Sequence, residues 1–335
     1  MSTGDRWRNA WTLALCLLLA GLASFASHAQ STERTIRLGV LFSGSTGQWA
    51  YLDAALLTGL RDQGYVEGRN LVVVRRYWEF QTAARLKSSA AELAALKLDA
   101  IVTTCNMTTR AAMDATGSTP IVMAVVSDPV GRGLVKSLAR PGGNVTGRSA
   151  QLADLEPKQL QLLRAVVPDG ARIAVLLNSR NPVHESQWRE MAAAARALNM
   201  NPVRVEVRGF AGLDAALDSL AKSDVRGLMI LSDDALTIEG RDRIIAAAAR
   251  LRLPSVSGFP AYAEDGGLMA YGEDTAEGFR RSAAYVVKVA NGANPAELPI
   301  EQPTRFELVI NLKTAAALGI TIPRELLARA DRTIE

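Results

Sequence analysis

From Arg34 onward this chain alternates short, β-branched apolar runs with longer Ala/Leu-rich segments of helical period, and that alternation narrows its fold more than any other feature. Residues 36–42 read as a buried strand that ends at Ser43-Gly44-Ser45. A helix is expected over 48–63, with Leu52, Leu56, Leu57 and Leu60 on one face. Strands follow at 71–77, 99–103 and 121–126, with helices over 82–96 and 107–115 between them. The order then repeats, with strands at 172–177, 203–207, 227–231 and 255–257 and helices over 184–198, 213–221 and 238–251. Units of this kind build parallel sheets covered by helices on both faces, and near-continuous apolar strands suit sheets buried on both sides. The expected class is therefore α/β, with two doubly wound, Rossmann-like lobes.

A length of 335 residues with 48% hydrophobic side chains suffices for two cores. The turn-rich stretch 141–147 (PGGNVTG) marks the boundary between the repeats. Further crossovers are expected after Tyr271-Gly272 and over 294–303. The expected division is 34–147 plus 274–302 for one lobe and 148–273 plus 303–335 for the other. Three crossovers make a hinge, and a hinge permits closure of a cleft around a ligand.

The first thirty residues read as an export signal. Arg6 and Arg8 form a basic start, 11–22 is apolar, and Ser27-His28-Ala29 offers a cleavage site before Gln30. The apolar run is shorter than the roughly 20 residues of a membrane span. Cys16 lacks the flanking sequence of a lipidation site. Residues 1–29 are expected to be removed and the mature protein to reside in the periplasm. Loss of Arg6, Arg8 and Asp5 lowers the formal net charge of +4 by one. The remaining charges are mixed in sign and form no basic footprint, which argues against nucleic-acid binding. Cys105 alone remains, so no intramolecular disulfide is expected.

In doubly wound sheets, ligands bind beyond the carboxyl ends of the strands. That rule selects Ser43 and Ser45 after strand one, Thr104 and Asn106 after strand three, and Ser127 and Asp128 after strand four. From the second repeat it selects Asn178, Asn181, Asp233, Asp234, Phe259 and Tyr262. Hydroxyls, amides and carboxylates suit a polar ligand, and the aromatics suit its apolar part. Singly, each polar residue reads equally well as a helix cap. His184 is expected at a helix end on the surface, with no nucleophile beside it. Cys105 reads as packing, with a thiol nucleophile the rarer alternative. Asp233-Asp234 has no His or Cys at metal-ligand spacing, and Gly44-Ser45-Thr46-Gly47 lacks the lysine of a phosphate loop. No cofactor is expected.

Four segments carry a family resemblance: GYVEGRN (64–70), SDPVGRGLVKSLARPGGNVTG (127–147), GGLMAYGED (266–274) and QPTRFELVINLKTAAALGITIP (302–323). They resemble the ABC transporter substrate-binding protein family related to tryptophan/tyrosine-type binding proteins, in order over the whole mature chain. The resemblance implies a type I periplasmic-binding-protein fold that captures a small-molecule ligand and hands it to an ABC permease and ATPase. It implies contact with the membrane only through the permease. It further implies that loops after strands one, three and four hold the ligand's polar end, together with a second-lobe acid–amide pair. The matching positions here are Ser43 and Ser45, Thr104 and Asn106, Ser127 and Asp128, and Asp233-Asp234. Asp234 stands where the family carries an amide, and Cys105 and Asn106 replace smaller residues. Solute capture for transport is the leading expectation. A ligand sensor feeding a membrane receptor and a secreted enzyme using Cys105 are the alternatives.

Overall fold

A computed structural model describes residues 34–150, 155–181, 183–233 and 235–335. The expected signal segment and Asp234 lie outside the described residues. Two sheets organise the chain. The first contains β1 (Ile36–Phe42), β2 (Leu71–Tyr77), β3 (Ala100–Thr103), β4 (Ile121–Ser127) and β5 (Val145–Ala150), in the order β2-β1-β3-β4-β5. Every pairing in it is parallel. Its crossovers carry α1 (Thr46–Asp62), α2 (Ala83–Ala94) and α3 (Asn106–Ala115).

The second sheet contains β6 (Arg172–Asn178), β7 (Asn201–Val207), β8 (Gly227–Ile230), β9 (Ser255–Ser257), β10 (Met269–Gly272), β11 (Glu307–Asn311) and β12 (Arg332–Ile334). Their order is β12-β11-β10-β9-β8-β6-β7, parallel except where β11 runs against β10. Helices α4 (Glu156–Arg164), α5 (His184–Ala197), α6 (Leu213–Leu220), α7 (Arg241–Arg250) and α8 (Pro260–Glu264) accompany it. After β10 the chain returns to the first lobe as α9 (Thr275–Ala290). It then comes back to β11, α10 (Leu312–Leu318) and α11 (Arg324–Leu327).

Apolar spacing explains the helix placement. On α1, Trp49, Leu52, Leu56 and Leu60 recur every three or four residues and are buried. They share a core with Phe279, Ala283, Val286 and Ala290 of α9. Burying side chains of this size contributes about 1.5–3 kcal/mol each, enough to hold α9 on a lobe remote in sequence. Asp274 starts that helix by accepting from the Glu277 amide at 3.1 Å.

The structure differs from the sequence reading in three places. Residues 145–150 were expected to lie at a turn and lobe boundary, yet they form β5, buried throughout in the first sheet. The boundary drawn after Gly147 therefore falls inside a strand. The helix expected over 238–251 begins instead as a π-helical turn, Ala235–Glu239, and resumes as α7 beyond Gly240. Short elements such as α8, β10 and β12 were not anticipated at all.

β5 hides a charge. Arg148 is 3% exposed, and its Nη1 lies 2.9 Å from Glu273 Oε1, on the segment that leaves β10. Glu301, on the segment leading to β11, lies 3.7 Å from Arg148 Nε and also pairs with Arg281. The backbone joins in, with Ser149 N–H donating to Glu301 O at 2.8 Å and Glu301 N–H to Gly147 O at 3.0 Å. Burial pushes the Glu273 carboxyl pKa up, and the Arg148 charge opposes that shift. Removing one member of a buried pair strands the other, at a cost of about 3–5 kcal/mol. Arg148→Met is therefore expected to lower unfolding stability by that order in urea titration. The double variant Arg148→Met/Glu273→Leu should lose less than Arg148→Met alone.

Candidate functional site

The carboxyl ends of the first sheet's strands are tied to one another. Ser43 N–H donates to Thr104 Oγ1 at 3.1 Å, and the two hydroxyls lie 3.1 Å apart, both residues buried. The ends of β1 and β3 are thereby joined into a floor. Cys105 caps α3: its Sγ accepts from the Thr108 amide at 3.5 Å, while Thr108 Oγ1 accepts from the Cys105 amide at 3.0 Å. Asn106 opens that helix, and its Oδ1 is buried without a partner. Ser127 ends β4. Asp128 follows at φ 45°, a conformation costly for a residue with a Cβ, and its Oδ1 accepts from the Gly131 amide at 2.9 Å. Arg110 Nη2 holds the next turn through the carbonyls of Arg132 and Gly133, each at 2.9 Å.

The second lobe centres on Asp233. Its carboxylate accepts from Asn181 Nδ2 at 2.9 Å, the Ala235 amide at 3.0 Å and Asn178 Nδ2 at 3.3 Å. Its carbonyl accepts from the Leu236 and Thr237 amides and starts the π-helical turn. Such turns are frequent at functional sites. His184 is fully buried, contrary to the surface position expected for it. Its Nδ1 accepts from the Asn178 amide at 2.8 Å, which leaves the proton on Nε2, 3.4 Å from the Ser232 carbonyl. Burial pushes its pKa down; the neighbouring Asp233 charge opposes this, and the Arg132 charge, from the other lobe, adds to it. Ser232 N–H donates to buried Glu156 at 3.3 Å. The hydroxyls of Ser232 and of Ser257, at the end of β9, are buried without partners.

The lobes touch across this cleft. Glu239, at the end of the π-helical turn, accepts from the Ser45 amide at 2.9 Å, and Gln48 donates to Asp242 at 2.8 Å. Arg241 sits over the Tyr51 ring at 5.6 Å, and Phe80 meets Phe210 with centroids 6.1 Å apart. Phe259 and Ile238 share a cluster with Phe42, Trp49 and Phe279. Phe42 stacks on Tyr77 at 5.0 Å. Trp49 Nε1 is buried without a partner.

Most of the residues selected from the sequence thus lie at strand ends facing one cleft, in differing roles. Ser43 and Thr104 brace the floor, Asp128 shapes a turn, and Asn178, Asn181 and Asp233 form one network. Tyr262 departs from its expected role as a ligand contact. It packs in the second lobe's own core, its hydroxyl 2.7 Å from Ser255 Oγ, and burial raises its pKa. Trp49, Arg132, His184 and Glu239 were missed. Arg132 lay in view, five residues beyond Ser127, but Glu239 is legible only once the helix start is known to be a π turn. Among the described residues no three His, Cys, Asp or Glu side chains gather to hold a metal ion. No helix among them is long and apolar enough to cross a membrane.

Known proteins share this arrangement. The sequence profile described as ABC transporter substrate binding protein matches residues 52–334. A tyrosine-binding protein of Clostridioides difficile is 27% identical over 269 residues, 79% of this chain and 75% of that one. The structure of an ABC domain from Streptococcus pneumonia in complex with L-Trp superposes with a TM-score of 0.79 at 26% identity, covering 90% of this chain and all of that one. A conserved domain protein from Vibrio cholerae gives the same TM-score and coverages at 27% identity. The fold is that of type I periplasmic binding proteins.

Two outcomes follow from the geometry. Because the folded pKa of His184 lies below its ordinary 6.5, the unfolded chain takes up a proton that the native state refuses. The contribution of neutral His184 is fully present above about pH 6.5 and is lost as pH falls toward the folded value. Urea denaturation across that window should show wild-type stability falling, with a flatter profile for His184→Gln. Glu239→Ala removes a charge-assisted bond worth about 1.5 kcal/mol or more. Amide exchange at Ser45 should accelerate about tenfold in that variant.

Proposed function

This chain belongs to the ABC transporter substrate-binding protein family, and from that membership we propose that it is the solute-capturing component of an ABC importer. In this reading it acts in the periplasm, after removal of residues 1–29. It binds a small polar or zwitterionic organic molecule between its lobes by hinge closure and delivers it to a permease and ATPase. The three segments linking the lobes serve as the hinge.

One observation carries the reading. Trp49 Nε1, Asn106 Oδ1, Ser232 Oγ and Ser257 Oγ, from both lobes, are buried without partners near the carboxyl ends of parallel strands. Each such atom costs about 1–3 kcal/mol unless a partner is supplied. A polar ligand between the lobes supplies donors and acceptors to all four. Phe42, Tyr77, Trp49 and Phe259 offer an apolar wall for the rest of it. The relatives that bind L-Trp and tyrosine make an aromatic amino acid the leading ligand class. Ser127, Asn106, Asn178, Asn181 and Asp233 are its proposed polar contacts. Binding without turnover fits the roles of Cys105 and His184, which respectively cap a helix and brace a loop. A ligand selects the closed arrangement by binding it better than the open one.

Thermal shift and calorimetry with L-tryptophan and L-tyrosine test this directly. At a hundredfold excess over Kd, binding stabilises the fold by about 2.7 kcal/mol. Asn106→Ala should weaken that binding about tenfold without lowering the melting temperature of the free protein, since its carbonyl oxygen has no partner to lose. A protein that binds no small molecule would remove the capture reading.

A further inference from the structure

Four of the unpartnered atoms at the cleft are neutral, but a fifth belongs to a cation. Arg132 lies in the turn after β4, and its Nε is buried with no hydrogen-bond partner. No described carboxylate pairs with it. Other shielded arginines of the protein do have acids: Arg148 has Glu273, Arg241 has Asp265, and Arg75 has Asp53 and Glu67. A buried guanidinium without an anion is costly, and its planar fork matches a carboxylate in two parallel hydrogen bonds.

The turn is built to hold this side chain still. Asp128 bends it by accepting from the Gly131 amide, and Arg110 anchors the carbonyls on either side of the Arg132–Gly133 peptide. Arg132 faces the opposite lobe, since its charge is felt at His184, beside Asn178, Ser232 and Asp233. Asp233 does not neutralise it, because Asn178, Asn181 and the Ala235 amide already engage that carboxylate. The cleft therefore carries a fixed, uncompensated positive charge from one lobe, opposite a neutral histidine and an occupied acid on the other.

We infer that Arg132 is the specificity-determining residue of the cleft and that the ligand bears a carboxylate, which it grips as the lobes meet. This rests on the cleft being the binding site. It narrows the ligand to small organic carboxylates and excludes neutral polyols and amines of the same shape.

A thermal-shift panel tests it: the twenty amino acids and common mono- and dicarboxylates, with tryptamine and tyramine as decarboxylated counterparts and myo-inositol as a neutral probe. Wild-type protein should respond to at least one carboxylate and not to its decarboxylated counterpart. Calorimetry on that carboxylate should show Arg132→Gln weakening binding about a hundredfold and Arg132→Lys by an intermediate factor. Melting of the free variants reports whether each still folds, and Arg132→Lys, which keeps the charge, guards against loss of fold in Arg132→Gln. Equal response to amine and acid, undiminished affinity in both variants, or response to myo-inositol with none to any carboxylate overturns the inference. So does a panel in which no carboxylate shifts the protein. Binding of a neutral solute would leave capture standing while removing Arg132's role. Arg132-dependent binding of a carboxylate that is not an amino acid would do the reverse, keeping the inference and removing the amino-acid ligand.

Discussion

A single buried guanidinium joins the parts of this fold that must bend. Arg148 sits in the last strand of the first sheet, Glu273 on the segment leaving β10, and Glu301 on the segment returning to β11. Together with the chain beyond Ala150, these are the places where the polypeptide passes between lobes. Two carboxylates neutralise the charge, and the backbone of Glu301 is laced to Gly147 and Ser149. Gly278 leaves room for the pair, since a methyl there would stand 2.7 Å from Arg148 Nη1. Each lobe has its own apolar core, so their relative placement depends on few contacts, and this ionic knot is the most buried of them.

The same knot explains where the sequence was hard to read. Strands β1, β3 and β4 are apolar runs whose burial follows from their own residues, and they lie within a residue or two of expectation. β5 reads VTGRSA, with an arginine in its middle, and such a string scores as loop. It is a strand because Glu273 and Glu301, more than a hundred residues away, neutralise that arginine. No local window contains this information. α9 shows the opposite case: its apolar spacing and Asp274 cap were legible, and its partner on α1 was not.

At the site, strand ends were legible because parallel topology alone determines where a ligand can bind. What each side chain does there was not. Thr104 and Ser43 bond to one another, Tyr262 to Ser255, and His184 to the Asn178 amide, and these pairings form between segments far apart in sequence or turned toward the core. Residues that remain uncommitted, such as Asn106, Ser232 and Arg132, become visible only by subtraction, once every internal partner is known. Sequence supplies the candidates, and the hydrogen-bond inventory separates braces from contacts.

Trp49 gives the molecule an optical gauge of its own. Three tryptophans fall among the described residues. Trp78 is fixed within its lobe by a bond to the Thr82 carbonyl, and Trp188 lies beneath Arg204. Trp49 alone lies among side chains of both lobes, with Phe42 and Phe279 on one side and Ile238 and Phe259 on the other. Its indole moves from a dry to a wet surrounding whenever the lobes part. The wavelength of its emission, with no dye or engineered label attached, therefore reads the separation of the two halves.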